Sequence, residues 1–169
     1  MTNILNIEHG TLSLNLKLFH PKDLLTLIVK KFDREIQQKH LKLMAEISPD
    51  ISPMVSDSQF LGDVISVILS NSIKYTPHLG AINLKLSADY EDITFVISDT
   101  GYGVMEEEKP HLFERYFRGS NILKYEPFGT GLSLFYAKKV TEFLGGKIFI
   151  DTHPNKGTTV TIKVPKRIN

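Results

Sequence analysis

Three short motifs spaced along this chain of 169 residues restrict the folds that it can adopt. They are Asn71-Ser-Ile-Lys-Tyr, Asp99-Thr-Gly-Tyr-Gly and Gly129-Thr-Gly-Leu. Each motif alone is common, because glycine marks turns of many kinds and asparagine often caps a helix or faces solvent. Their order, their spacing and the patterns that flank them favour one shared nucleotide-binding site.

The first motif lies in a predicted helix, where a buried asparagine needs a partner for its amide oxygen. Mg²⁺ takes oxygen ligands and keeps several waters, so the Asn71 oxygen and the phosphates of a nucleotide would be enough to hold it. Lys74 offers a point charge to phosphate, and Tyr75 offers a flat ring to a base. The helical repeat predicts that Val64, Val67, Asn71 and Lys74 share the face that meets the ligand.

The second motif follows an apolar run, residues 93–98, that predicts a strand. The Asp99 carboxylate at the end of that strand is well placed to accept a hydrogen bond from the exocyclic amine of a purine. Gly101 and Gly103 allow the backbone to turn sharply and to approach a ligand closely.

The third motif opens a predicted helix that runs to about Leu144, and free N–H groups at a helix N-terminus bind phosphate. Two other nucleotide folds fit poorly. Gly129 follows a polar, proline-containing loop without a surrounding βαβ unit, which argues against a dinucleotide fingerprint. The chain also lacks the Gly-Lys-Ser/Thr ending of a Walker A loop.

Between Met105 and Phe128 the sequence becomes rich in mixed charge and aromatic residues, among them Phe117. Composition leaves two interpretations open: a mobile lid, or a surface loop with its own small apolar cluster. Arg115 and Arg118 favour the lid, because a guanidinium on a movable segment can close over phosphate.

The hydrophobic patterns predict an α/β two-layer sandwich, with a mixed, mostly antiparallel sheet and helices on one face. The predicted elements are a strand over residues 11–19, a helix from Pro21 to Ile36, a strand over residues 41–47, a helix capped by Asp57, and two hairpins that pair residues 81–86 with 93–98 and residues 147–151 with 158–164.

Composition fits one domain, because a chain of this length with 41% hydrophobic residues can bury one core. A formal net charge of +1 gives no reason to expect contact with nucleic acid or an anionic membrane. The absence of cysteine excludes disulfides and fits a reducing cytoplasm, which is the expected location. No apolar stretch approaches the ~20 residues that span a bilayer, so any membrane anchor is expected outside this chain.

The motifs together resemble the nucleotide-binding boxes of the GHKL ATPase superfamily. Residues 69–77 match its N box, residues 98–104 its G1 box, residues 112–119 its F box and residues 129–134 its G2 box. The chain as a whole resembles the catalytic, ATP-binding domain of a bacterial-type sensor histidine kinase. Residues 1–10 resemble the end of the linker from the dimerisation helices, which leaves residues 11–169 as the Bergerat-type ATP-binding domain, with a lid over about 105–128.

The resemblance implies ATP and Mg²⁺ as cofactors and assigns roles to single residues. Asn71 would hold Mg²⁺, Lys74 and Arg118 would neutralise phosphate charge with Arg115 as the second choice, and Asp99 would select adenine. The remaining implied contacts to the nucleotide are Tyr75, Gly101, Gly103, Phe117, Gly129, Thr130, Gly131 and Leu132.

The implied partners are a histidine-bearing dimerisation domain, which would receive the γ-phosphoryl group, and a response regulator receiver domain, which would receive it next. No phosphoacceptor motif is found in this sequence, so the chain alone is expected to be inactive as a kinase. Val67 and Ser133 depart from the family pattern and favour an alternative, a non-catalytic GHKL-like regulatory module. A third hypothesis is a serine kinase of the anti-sigma type, which shares these boxes but lacks a counterpart of the linker-like residues 4–12.

Overall fold

The computed structural model describes residues 11–120, 122 and 129–168. The proposed linker at residues 1–10 and part of the predicted lid therefore lie outside the described residues. The described helices and strands are, in chain order, β1 (Lys17–Phe19), α1 (Pro21–Lys31), α2 (Asp33–Gln38), β2 (Lys42–Ile47), β3 (Met54–Ser56), α3 (Ser58–Tyr75), β4 (Ala81–Ala88), β5 (Asp92–Asp99), a 3-10 helix (Glu106–His111), α4 (Ser133–Phe143), β6 (Lys147–His153) and β7 (Gly157–Pro165).

The main sheet has the strand order β2-β4-β5-β7-β6. Only the β2–β4 pair in this sheet is parallel, and the other neighbours are antiparallel. Alternate residues of β4 and β5 are buried, among them Leu84, Leu86 and Phe95, while Lys85, between the two leucines of β4, is exposed. This alternation is what an antiparallel sheet with one covered face requires, and the predicted mixed sandwich is confirmed.

The helix α3 supplies much of the core that covers this sheet. Its apolar residues Leu61, Ile65 and Leu69 are fully buried, and burial of each stabilises the fold by about 1.5–3 kcal/mol. The helix begins as predicted, because the Asp57 carboxylate accepts hydrogen bonds from the N–H groups of Gln59 (3.0 Å) and Phe60 (3.1 Å).

Contacts between α3 and α4 join the helical layer. The Tyr136 hydroxyl donates to the Asp63 carboxylate at 3.1 Å, and the rings of Phe60 and Phe143 meet edge to face at 5.9 Å between centroids. These contacts fix the angle at which α4 crosses α3, and so they set the position of the α4 N-terminus relative to the motif on α3.

Two sequence predictions are wrong in extent. The strand predicted over residues 11–19 is formed only over Lys17–Phe19, where it pairs with the equally short β3. Ahead of it, the Asn15 N–H bonds the Asp57 carboxylate (2.8 Å) instead of a neighbouring strand. The helix predicted from Pro21 to Ile36 is interrupted at Phe32, which lies between α1 and α2. Periodicity located the buried side chains but not these interruptions.

Candidate functional site

A cavity of about 330 Å³ opens between the C-terminal half of α3, the end of β5, the segment after it and the start of α4. All three sequence motifs contribute to its wall. The predicted site residues that line it are Asn71, Lys74, Tyr75, Asp99, Gly103, Phe117, Arg118, Gly129, Thr130 and Gly131.

The partly buried Asp99 carboxylate is a hydrogen-bonded polar group in the wall of this cavity. One oxygen accepts the N–H groups of Gly101 (2.9 Å) and Thr158 (3.1 Å), and the other accepts the hydroxyl of Ser72 (2.8 Å). Burial raises the pKa of Asp99, and the three hydrogen bonds oppose that rise. The group is therefore fixed in orientation, and its Oδ2 lies beside a lining hydroxyl, where a ligand amine can reach it.

The turn after β5 explains the glycines of the second motif. A side chain at Gly101 would collide with the Asp99 carboxylate and the Tyr75 carbonyl, although Gly101 itself does not line the cavity. Gly103 has a φ of 61° and lies against the backbone of His153 at the end of β6. Gly101 thus allows close packing beside the Asp99 carboxylate, and Gly103 allows close packing against the β6–β7 hairpin.

The last turns of α3 bring the first motif into the wall. Asn71 and Lys74 line the cavity, and the Lys74 ammonium lies 5.5 Å from the centroid of the Tyr75 ring. The predicted ligand face is wrong in its N-terminal half. Val64 is fully buried, and the half-buried Val67 packs against the same core.

The segment after β5 contains a small apolar cluster, as in one of the two interpretations that composition left open. Val104, Leu112 and Ile122 are buried together, and Phe117 packs against them while lining the cavity.

The two arginines of this segment lie in different surroundings. Arg118 lines the cavity, whereas the Arg115 guanidinium lies over the Phe135 ring, 4.6 Å from its centroid, and Arg115 is not part of the lining.

The third motif lies where α4 begins. Gly131 has a φ of 66°, and its carbonyl accepts the Tyr116 N–H at 3.0 Å, which ties this turn to the lid segment. Leu132 precedes the first turn of α4 but does not line the cavity, and no side chain of the described residues caps this helix. The first N–H groups of α4 thus lack a side-chain cap, and Ser133 adds its side chain to the wall.

The donor set fits a metal that is bound together with phosphates. Among the described residues, no group of three or more His, Cys, Asp or Glu side chains is arranged to hold an ion. Asn71 brings a neutral amide oxygen to the cavity, and Asp99, the one carboxylate among the described lining residues, already accepts hydrogen bonds from three donors. A hard cation that keeps its waters and takes phosphate oxygens suits this set better than a protein cage does.

Sequence reasoning missed three polar residues around Asp99. Ser72 and Thr158 both line the cavity, and the buried Thr152 accepts the Val104 N–H at 3.1 Å and meets the Thr158 hydroxyl at 2.9 Å. Ser72 carried a signal, because it directly follows Asn71 in the first motif. Thr158 follows Gly157 in a predicted hairpin, which is a weak signal because threonines are common in strands, and Thr152 carries no signal of its own.

Among the described residues, no helix is long and apolar enough to cross a membrane.

A family model described as the histidine kinase-, DNA gyrase B- and HSP90-like ATPase matches residues 56–168. The chain belongs to this family of ATPases. It is 33% identical over 139 residues to the adaptive-response sensory kinase SasA of Gloeothece citriformis, an alignment that covers 82% of this chain and 35% of that protein. The chain thus spans about a third of the length of this relative.

Two solved structures share the fold. Full-length ShkA in complex with AMPPNP has a TM-score of 0.83 at 19% identity, and the match covers 96% of this chain and 33% of that one. Histidine kinase ThkA in complex with the response regulator TrrA has a TM-score of 0.76 at 20% identity, covering 98% of this chain and 47% of that one. At these identities the likeness establishes the fold alone, which agrees with the family membership.

Proposed function

We propose that this chain is the ATP-binding catalytic domain of a two-component sensor histidine kinase, which donates the γ-phosphoryl group of ATP to a histidine on a separate dimerisation domain. The observation that carries the proposal is the meeting of all three motifs in one cavity, whose wall includes the Asp99 carboxylate together with Arg118 and Lys74. A carboxylate acceptor and two cations in one cavity suit a base joined to a charged phosphate chain.

The base subsite follows from Asp99. Its Oδ2 accepts from the exocyclic amine of adenine, whereas guanine presents an oxygen at the equivalent place and would meet the carboxylate with repulsion. The adjacent Ser72 hydroxyl and the Tyr75 ring complete a pocket that is polar at one edge and flat on one side. We therefore propose that adenine nucleotides are selected over guanine nucleotides.

The phosphate subsite follows from the cations and from the start of α4. Lys74 and Arg118 bring positive charge, and the backbone from Gly129 to Gly131 brings N–H groups to the same wall. Asn71 would hold Mg²⁺ through its amide oxygen. The ion, when bound, neutralises charge on the phosphates, while these residues orient the chain of phosphates for in-line transfer.

The transfer itself requires positioning more than covalent chemistry. Val67 packs against the core one turn before Asn71, and an apolar side chain there cannot polarise water, so hydrolysis of bound ATP should be slow. Two findings support the wider pathway: the relatives are named sensory kinases, and ThkA was solved with a response regulator. We propose a response regulator as the final acceptor and the cytoplasm as the location.

A second candidate is a regulatory module that binds nucleotide without transferring phosphate, and it is favoured by the Ser133 side chain in the wall of the cavity. Addition of a histidine-bearing dimerisation domain to the chain with Mg-ATP separates the two. Acid-labile phosphate on that domain supports the kinase. Saturating ATP binding without any transfer supports the regulatory module.

A further inference from the structure

The last turn of α3, which carries part of the site, is held by a lysine from outside the cavity. Lys39 directly follows α2 and does not line the cavity. Its ammonium nitrogen donates to three backbone carbonyls at the end of α3, those of Ile73 (2.8 Å), Lys74 (2.9 Å) and Thr76 (2.8 Å).

These bonds complete the hydrogen bonding of that helix end. The last four carbonyls of a helix have no partners within it, and buried ones need donors from elsewhere. The Ser72 carbonyl accepts the Thr76 N–H at 3.0 Å, and the Tyr75 carbonyl accepts the Tyr102 N–H at 3.2 Å. With the three carbonyls bound by Lys39, each carbonyl from residue 72 to residue 76 has a donor.

The backbone of Lys39 holds the chain that follows α3 as well. Its carbonyl accepts the Leu79 N–H at 3.0 Å, so both the side chain and the main chain of Lys39 bind the backbone at and after the end of α3. A positive charge at a helix C-terminus also interacts favourably with the helix dipole. The turn is thus fixed to α2 and not only to the sheet.

We propose that Lys39 is a positioning residue for the nucleotide site. By holding the carbonyls of Ile73, Lys74 and Thr76, it fixes the last turn of α3 in the orientation that directs the Lys74 ammonium and the Tyr75 ring to the cavity. This inference rests on the proposed function, because it assigns Lys39 a role in the binding of a nucleotide that it does not contact.

Removal of the ammonium would leave three carbonyls without their donor, of which those of Ile73 and Thr76 belong to buried residues. The last turn would then fray and populate several arrangements, of which only a fraction would place Lys74 and Tyr75 correctly. The apparent affinity for a ligand falls by the fraction of molecules that are competent to bind it.

The test is titration of the whole chain with AMPPNP and Mg²⁺, well below the melting temperature of every variant. Lys39→Met keeps the apolar stem of the side chain and loses the donors. We expect it to raise the Kd for AMPPNP by on the order of tenfold, since bonds from a charged donor are among the stronger ones. Lys39→Arg retains a cationic donor and should recover most of the affinity.

Two controls separate positioning from general effects. Lys42→Met makes the same change of charge at an exposed position on β2, and it should bind like the wild-type chain. Val164→Ala opens the core where β7 pairs with Ile93, away from Asp99, so it lowers the melting temperature without touching the helix end.

An unchanged Kd in Lys39→Met, or an equal loss of affinity in Val164→Ala at a similar melting temperature, would overturn the inference. If Lys39→Met does not fold, Lys39→Gln is subjected to the same comparison. Failure of the wild-type chain to bind AMPPNP would instead refute the proposed nucleotide site, so the two failures are distinguishable.

Discussion

The substitution Asp99→Asn tests the base subsite with the smallest change of shape. In the wild-type chain, Asp99 Oδ1 accepts two backbone N–H groups and Oδ2 accepts the Ser72 hydroxyl. An asparagine can keep the first oxygen in place and turn its NH₂ group to where Oδ2 lies. The Ser72 hydroxyl can then rotate to accept, but the amine of adenine would face another donor.

The expected loss follows from that one mismatched contact. A ligand amine that loses a charged acceptor and meets a donor costs about 1–3 kcal/mol, which corresponds to roughly 5- to 150-fold weaker binding. We expect no matching loss in the stability of the folded chain. Because burial raises the pKa of Asp99, the folded chain binds a proton on this carboxyl more tightly than the unfolded chain does. The contribution of Asp99 to stability therefore falls as pH rises from the ordinary pKa of aspartate to the raised pKa. A neutral amide avoids this cost, so the nucleotide-free variant should be at least as stable as the wild type near neutral pH.

Calorimetric titration with ADP, together with thermal melting of the nucleotide-free proteins, measures both effects. Asp50→Asn, at an exposed position outside the helices and strands, is the matched control and should change neither quantity. ADP affinity within twofold of the wild type would refute the assignment of Asp99 to adenine. Equal wild-type affinity for ADP and GDP would refute it independently.

Three further predictions concern the phosphate subsite and the fold. Asn71→Ala should abolish phosphoryl transfer to a supplied histidine domain and keep the melting temperature nearly unchanged, and retained transfer would remove Asn71 from the mechanism. Arg118→Ala should weaken ATP binding more than ADP binding in parallel titrations, whereas Arg115→Ala should affect the two nucleotides equally, because only Arg118 lines the cavity. Hydrogen bonds from the Asp92 backbone and the Lys163 side chain lower the pKa of Asp89 to about 2, so its contribution to stability is present above the unfolded value and is lost as pH falls toward 2. Urea unfolding should therefore show Asp89→Asn to be less stable than the wild type at neutral pH, with a difference that shrinks as pH falls toward 2.

Local patterns predicted most of the sheet and of the cavity. The alternation in β4 and β5 and the cap at Asp57 depend on neighbours in sequence, and the structure confirms both. The extent of the first strand could not be predicted, because it depends on the length of β3, its partner some forty residues further on.

Two residues that lie outside the predicted site, Lys39 and Thr158, share a different cause. Lys39 lies 34 residues or more before the carbonyls that it binds, and Thr158 lies 59 residues after Asp99. Neither position differs in type from ordinary surface lysines or strand threonines. Val67 shows the reverse error, since helical spacing alone placed it on the ligand face, whereas tertiary packing directs it to the core.

Transfer of phosphate to histidine tests the central claim most directly. The whole chain is incubated with γ-labelled Mg-ATP at a concentration that saturates binding, together with a dimerisation domain that carries the acceptor histidine. We predict label on that domain that is lost in acid and stable in base, little free phosphate from the chain alone, and no label with Asn71→Ala. Saturated binding without label on the histidine domain would contradict the kinase and leave a regulatory nucleotide-binding module.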